Sequence, residues 1–141
     1  MMASIKPRKF ELKFSSDTKY LENVEKLSSK VAQYAQLSES DSDDLGIVTT
    51  ELVNNAIHHG NNNDPDKLVH IIFTVDEEKI ELKIIDQGSG FNPEGLKDPL
   101  APENLLSESG RGIFLIRNLM DGLDFNFSDA GTETIVTKNL H

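Results

Sequence analysis

Apolar and polar residues recur along the chain with periods that mark out most of its elements. Phe10, Leu12 and Phe14 alternate with Glu11 and Lys13, which predicts a short amino-terminal strand with one buried face. From Asp17 onward, Leu21, Val24, Leu27, Val31 and Ala35 return at intervals of three and four, the spacing that lines one side of a helix. A second helix is expected to start near Asp41. Ser40 followed by Asp43 reads as a capping box, and Asp41, Asp43 and Asp44 set negative charge at the positive end of the helix dipole. Its apolar stripe runs Leu45, Val48, Leu52, Ala56, and His58, His59 and Gly60 close it ahead of the polar stretch Asn61 to Asp66.

Beyond that stretch the period changes to two. Val69, Ile71, Phe73 and Val75, then Ile80, Leu82 and Ile84, alternate with more polar neighbours, and Asp76 to Lys79 joins them as a hairpin. Gln87 to Ser109 carries three prolines, three glycines and no period, the signature of a functional lid or of disorder. Gly110-Arg111-Gly112 is expected to open a third helix, buried through Ile113, Ile116 and Met120 and ending at Gly122. Leu123, Phe125 and Phe127 then alternate as a strand, Ser128 to Gly131 turns, and Thr132 to Lys138 returns. Helices grouped against such strands make a two-layer α+β sandwich, with a mixed, mostly antiparallel sheet covered on one face by about three helices.

Composition narrows the possibilities. A chain of 141 residues fits one domain with a real core, and no linker or repeat divides it, so residues 1–141 are read as a single domain. The absence of cysteine removes disulfides, thiolate metal sites and thiol nucleophiles. With 24 acidic against 14 basic residues the net charge is −10, which repels nucleic acid and looks unfavourable for a polyphosphate. The longest apolar run, Ile113 to Ile116, is far short of the ~20 residues that cross a bilayer. The basic start around Lys6, Arg8 and Lys9 has no apolar stretch behind it, so no secretory signal is expected and a cytoplasmic location is.

Three places carry candidate chemistry. Period-two counting puts Asp86 on the core face of its strand with Ile80, Leu82 and Ile84. A buried carboxylate needs donors, so Asp86 either caps the following turn or stands at the mouth of a site, and Gly88 and Gly90 let the backbone after it approach a ligand closely. On the second helix Glu51 and Asn55 are four apart and share a face beside the apolar stripe, oxygen donors that suit Mg²⁺ but equally a solvated polar face. Ser109-Gly110-Arg111-Gly112 leads into a helix, where free N–H groups and Arg111 would bind an anion. Adjacent His58 and His59 diverge by about 100° on a helix, so a dipole-stabilising role is preferred to metal binding. A Walker-type nucleotide site and the protein-kinase motif set are both absent.

Taken in order, Glu51-Leu-Val-Asn-Asn55-Ala-Ile-His-His-Gly60, Asp86-Gln-Gly-Ser-Gly90-Phe, Gly110-Arg-Gly112-Ile-Phe and Gly131-Thr132 resemble the four ATP-binding boxes of the superfamily shared by gyrase, heat-shock chaperones, histidine kinases and mismatch-repair ATPases (GHKL), whose ATP-binding architecture is the Bergerat fold. The resemblance covers about Phe10 to Lys138. Within the superfamily, the small size and the Ser-Gly-Arg-Gly-Ile stretch look most like bacterial anti-sigma factors that are serine/threonine protein kinases. The resemblance implies ATP and Mg²⁺, with Asn55 binding the metal, Asp86 accepting from the adenine amino group, and Gly88 and Gly90 passing close to the base. It also implies that Thr132 supports the adenine end, that Gly110, Arg111 and Gly112 hold phosphate, that 87–109 is an ATP lid, and that Glu51 is the general base. Asn55 is chosen over Asn54 because it shares Glu51's face, and Thr134 points the same way as Thr132.

The implied substrate is an anti-sigma factor antagonist of the STAS-domain type, phosphorylated on Ser or Thr in a partner-switching pathway. The other implied partner is a sigma factor, with a homodimer possible, and no direct nucleic-acid or membrane partner is expected. Two other readings keep the nucleotide site: a nucleotide-gated binding module without phosphotransfer, and an isolated histidine-kinase-type ATPase domain. The charge of −10 then no longer argues against a polyphosphate, because metal, backbone N–H groups and Arg111 form the site. The acidic exterior instead suits a basic partner.

Overall fold

The computed structural model describes residues 4–88 and 108–140, with only the backbone described at 108–111. The first strand, β1 (Arg8–Ser15), buries Phe10 and Phe14 and half-buries Leu12. A 3-10 turn, Thr18–Tyr20, capped by the Asp17 side chain, leads into helix α1 (Leu21–Tyr34). The buried stripe of α1 is Val24, Ser28, Val31 and Ala32, whereas Leu21 and Leu27 are only half-buried. A serine therefore stands where the periodicity predicts leucine. Helix α1 ends with Gln36 in the left-handed region at φ 59° and Leu37 N–H donating to the Ala32 carbonyl at 3.0 Å, a Schellman-type stop made without glycine.

Helix α2 (Glu39–Asn55) starts earlier than the sequence suggests. Its N-cap is Ser38, whose Oγ accepts from Asp41 N–H at 3.1 Å, so Ser40 lies inside the first turn and the Ser40/Asp43 capping box does not form. Leu45, Val48 and Leu52 are buried as expected, and Thr49 joins them by donating its hydroxyl to the Leu45 carbonyl at 2.7 Å. The helix then widens into one π turn, Ala56–Gly60, in which Asn61 N–H reaches back to the Ala56 carbonyl at 2.8 Å.

Strands β2 (Leu68–Val75) and β3 (Lys79–Ile85) form the expected hairpin, tightened by Asp76, whose side chain accepts from Glu78 and Lys79 N–H. Helix α3 (Glu108–Leu119) begins two residues before Gly110, so Gly110-Arg111-Gly112 lies within its first turns rather than opening it. It stops at Leu119, and Gly122 is the first residue of β4 (Gly122–Ser128), not the helix end. Strand β5 (Gly131–Asn139) completes the sheet.

The sheet order is β1-β2-β3-β5-β4, and all four pairings are antiparallel. Ile71, Phe73, Leu82 and Ile84 on one face are buried under the helices with Val24, Val48, Val53 and Ile116 in one apolar cluster. The opposite face carries exposed or half-exposed pairs such as Glu11 with His70 and Lys83 with Glu133. No described helix is long and apolar enough to cross a membrane. One covered face and one wet face is the two-layer α+β sandwich that the alternating pattern predicts.

Candidate functional site

Asp86 follows β3 and keeps that strand's inward phase, which leaves it 7% exposed. Its Oδ1 accepts from Gly88 N–H at 3.0 Å and from Thr132 N–H at 3.2 Å, while its own N–H donates to the Thr132 carbonyl at 2.9 Å. Burial is the main influence and pushes its pKa above the ordinary carboxylate value; the Gly88 and Thr132 N–H groups and the charge of Lys67 pull the other way. No described residue donates to Oδ2, which faces the Cα of Gly60. A Cβ on Gly60 would overlap that oxygen, and one on Gly131, which sits at φ 139°, would overlap the Asp86 carbonyl. The carboxylate thus lies in a recess that Gly60 and Gly131 keep free of their own side chains, with Oδ1 anchored and Oδ2 without a donor among the described residues.

Glu51 lies on α2 nine residues before Gly60, roughly 13 Å back along the axis at ordinary helical rise. It is half-buried, and no described residue pairs with it. A Cβ on Gly112 would overlap Glu51 Oε1 and come within 3.0 Å of Cδ, so this glycine of α3 is what lets the carboxylate lie against that helix. Asn55 stands one turn beyond Glu51 and is half-buried, with its amide free of hydrogen bonds to described residues; Asn54 is half-buried too. A single free amide oxygen is the donor set that Mg²⁺ takes when water and phosphate fill its other positions. No three described His, Asp or Glu side chains converge to hold a metal by themselves.

The other expected site residues fall into place as follows. Gly88 is buried against the Gly60 carbonyl. Thr132 is buried beside Asp86, which it meets through its backbone, and Thr134 lies two residues on, opposite Ile84 and Phe125. Gly110 and Arg111 belong to the first turn of α3. Gly90 and nearly all of the expected 87–109 lid lie outside the described residues. His58 Nδ1 makes a 2.5 Å hydrogen bond with Asn63 Oδ1, a local role.

Asn61 is the residue that pattern reading missed. It is 0% exposed, and its side chain ties three segments together. Nδ2 donates to Ser16 Oγ at 2.7 Å and to the Leu68 carbonyl at 3.0 Å, and Oδ1 accepts from Gln87 N–H at 2.8 Å. Gln87 Oε1 closes the ring by accepting from Leu68 N–H at 2.7 Å. The backbone on the far side of Asp86 is thereby pinned to the π turn. The one advance signal was an Asn placed directly after the helix-ending Gly60.

These features can be set against known proteins. The family model of histidine kinase-like ATPase domains matches residues 14–138. A serine-protein kinase RsbW of Bacillus velezensis is 30% identical over 137 residues, which is 93% of this chain and 85% of that one. RsbW of Oceanobacillus iheyensis is 31% identical over 122 residues, 82% and 77% of the two chains. Among solved structures, the RsbU and RsbW domains of Rv1364c from Mycobacterium tuberculosis share the fold at a TM-score of 0.68 and 14% identity, over 93% of this chain and 32% of that chain. The histidine kinase domain of the Erythrobacter litoralis EL346 blue-light activated histidine kinase does so at 0.60 and 17%, over 86% and 60%. The chain belongs to the histidine kinase-like ATPase domain family, in the company of the serine-protein kinases named RsbW.

Proposed function

We propose that this protein is an ATP-dependent serine/threonine protein kinase that phosphorylates an anti-sigma factor antagonist and, in the other arm of a partner switch, holds a sigma factor and so regulates transcription. The observation that carries the reading is the placing of two carboxylates along one helical run. Asp86 lies against Gly60 with Oδ2 undonated, and Glu51 lies against Gly112 unpaired, both among the described residues. The relatives named serine-protein kinase RsbW support the reaction class.

The free oxygen of Asp86 accepts a hydrogen bond from the adenine amino group. Gly88 leaves room for the base, and Thr132 holds Asp86 in position through its backbone N–H. N–H groups in the first turn of α3, where Gly110 and Arg111 lie, bind phosphate together with the arginine charge, and Gly112, further into the helix, keeps room for Glu51 beside them. Asn55 would hold Mg²⁺ through its amide oxygen, and the bound ion would neutralise charge on the phosphates. Glu51 receives the proton of the acceptor Ser or Thr hydroxyl. That oxygen bonds to the γ-phosphorus while the bond from this phosphorus to the β–γ bridging oxygen breaks, and ADP leaves with the bonding pair. Alignment and charge neutralisation supply most of what such a transfer requires.

The test is incubation of the full chain with γ-labelled ATP and the purified antagonist. Acid-stable label on the antagonist is expected. Bound ATP without transfer would reduce the protein to a nucleotide-gated binding module, and acid-labile label would move it to histidine-type chemistry.

A further inference from the structure

Helix α2 presents the Glu51 side of its surface toward α1 as well as toward α3. Between α1 and α2 runs a groove of about 530 Å³ whose lining includes Glu25 and Ser28 from α1 and Asp43, Gly46, Ile47 and Glu51 from α2. Their three- and four-residue spacing means that the groove follows both helix axes and ends at Glu51.

Ser28 occupies the core stripe of α1 and is 2% exposed, yet it has no hydrogen-bond partner among the described residues. No side-chain N or O sealed from solvent in the described residues lacks a partner, so Ser28 Oγ is reached from the groove rather than shut away. A hydroxyl open on one side can exchange its water for a polar group that enters the groove. Across from it Gly46 has no side chain, and a Cβ there would still be 4.0 Å from Ser28 Oγ, so backbone and the Ser28 hydroxyl face each other across open space, with Ser42 and Thr50 also in the lining. Ile47, 47% exposed, stands at the rim.

The charge is of one sign. Glu25, Asp43 and Glu51 line the groove, no Lys or Arg does, and none of the three has an ion pair among the described residues. The neighbouring Lys26 is turned toward Glu22 at 3.6 Å. Such a lining rejects nucleotides and a second copy of a chain carrying −10 charge, and it suits a cationic segment.

We propose that this groove docks the acceptor segment of the substrate protein, a stretch in which the target Ser or Thr is accompanied by Lys or Arg. The cation sits between Glu25 and Asp43, a polar group of the segment satisfies Ser28 Oγ, and an apolar residue covers Ile47. The acceptor hydroxyl is thereby delivered to Glu51. The inference rests on the reading of Glu51 as the base, since continuity with that residue turns a surface groove into a substrate path.

The test uses the full chain, the purified antagonist and labelled ATP, with Asp43→Lys to reverse the groove charge and Gly46→Leu to fill it. Both variants are expected to raise KM for the antagonist by about tenfold or more while KM for ATP and kcat stay near wild type. Changing the acceptor's basic residue to Glu is expected to restore Asp43→Lys and not Gly46→Leu. An unchanged antagonist KM in both variants would overturn the proposal, as would a loss confined to sigma-factor binding or to dimer formation measured by size-exclusion chromatography. Calorimetric binding of the antagonist separates the two readings. If no transfer occurs in wild type, the kinase reading fails, yet weaker antagonist binding by Gly46→Leu still supports the groove and unchanged binding still sinks it.

Discussion

Asp86 and Thr132 exchange two hydrogen bonds: the Asp86 N–H donates to the Thr132 carbonyl at 2.9 Å, and the Thr132 N–H donates to Oδ1 of Asp86 at 3.2 Å. The arrangement fixes the carboxylate but does not offset its burial, which holds its pKa above the ordinary value. A carboxyl whose folded pKa is raised stabilises the fold fully only below its unfolded pKa, and that contribution is lost as pH rises through the folded value. At neutral pH the ionised Asp86 therefore subtracts from stability. Asp86→Asn is expected to melt above wild type at pH 7, with the gap closing in acid where both carry an uncharged side chain, while ATP affinity falls about tenfold to a hundredfold because an amide N–H₂ faces the adenine amino group. Thermal melts at two pH values and ATP calorimetry check it. Calorimetry across pH should also show wild-type affinity declining once Asp86 protonates, at a pH higher than an exposed Asp would give.

Glu51 and Gly112 are coupled by the absence of a side chain. Glu51→Gln retains the shape and removes the base, so phosphotransfer is expected to fall about 10²–10⁴-fold with ATP binding near wild type. Gly112→Ala puts a methyl where Glu51 Oε1 lies and should lower kcat by about tenfold or more through displacement of the carboxylate. Steady-state kinetics with the antagonist at saturation measure both, and a Glu51→Gln enzyme that transfers at the wild-type rate would remove Glu51 from the mechanism.

Gln36 closes α1 at φ 59°, a conformation that side-chain-bearing residues adopt at a cost. Gln36→Gly is expected to stabilise the chain by about 0.5–1 kcal/mol without touching ATP binding, because relief of the left-handed conformation outweighs the extra freedom of the unfolded glycine. A higher urea midpoint with unchanged slope is the signature.

What could be read in advance was what depends on period. Alternation alone gave the two hairpins and the inward phase of Asp86, and the i, i+4 relation gave the shared face of Glu51 and Asn55. Boundaries were harder, because Ser38 and Ser40 are both competent caps and only the three-dimensional path shows that Ser38 accepts the Asp41 N–H. The start of α3 was misplaced because glycines punctuate loops in sequence, whereas Gly112 is needed inside the helix to admit Glu51. Ser28 and Asn61 were invisible for one reason. Polar residues carry no periodic signal of burial, and the groups that Asn61 bonds lie on other segments.

Asn61 supplies the remaining prediction. Its side chain, itself 0% exposed, connects Ser16 just after β1, Leu68 at the start of β2 and Gln87 just past Asp86. Removing it leaves the Gln87 N–H and the Leu68 carbonyl short of partners, so Asn61→Ala is expected to cost about 2–4 kcal/mol in urea unfolding. Asn61→Asp keeps an acceptor for Gln87 N–H but sets a second acceptor against the Leu68 carbonyl, and should also destabilise. Loss of the tether frees the backbone after Asp86, so ATP affinity should fall in both variants even at temperatures where they are fully folded. Discrimination between ATP and GTP should narrow, because the carboxylate that reads the adenine amino group is no longer fixed. A core change of equal cost at a distance, such as Phe10→Ala in β1, provides the comparison: it should lower stability with discrimination intact. If Asn61→Ala behaves like Phe10→Ala, Asn61 is only a structural bond, and if discrimination collapses in Asn61→Ala alone, it positions Asp86.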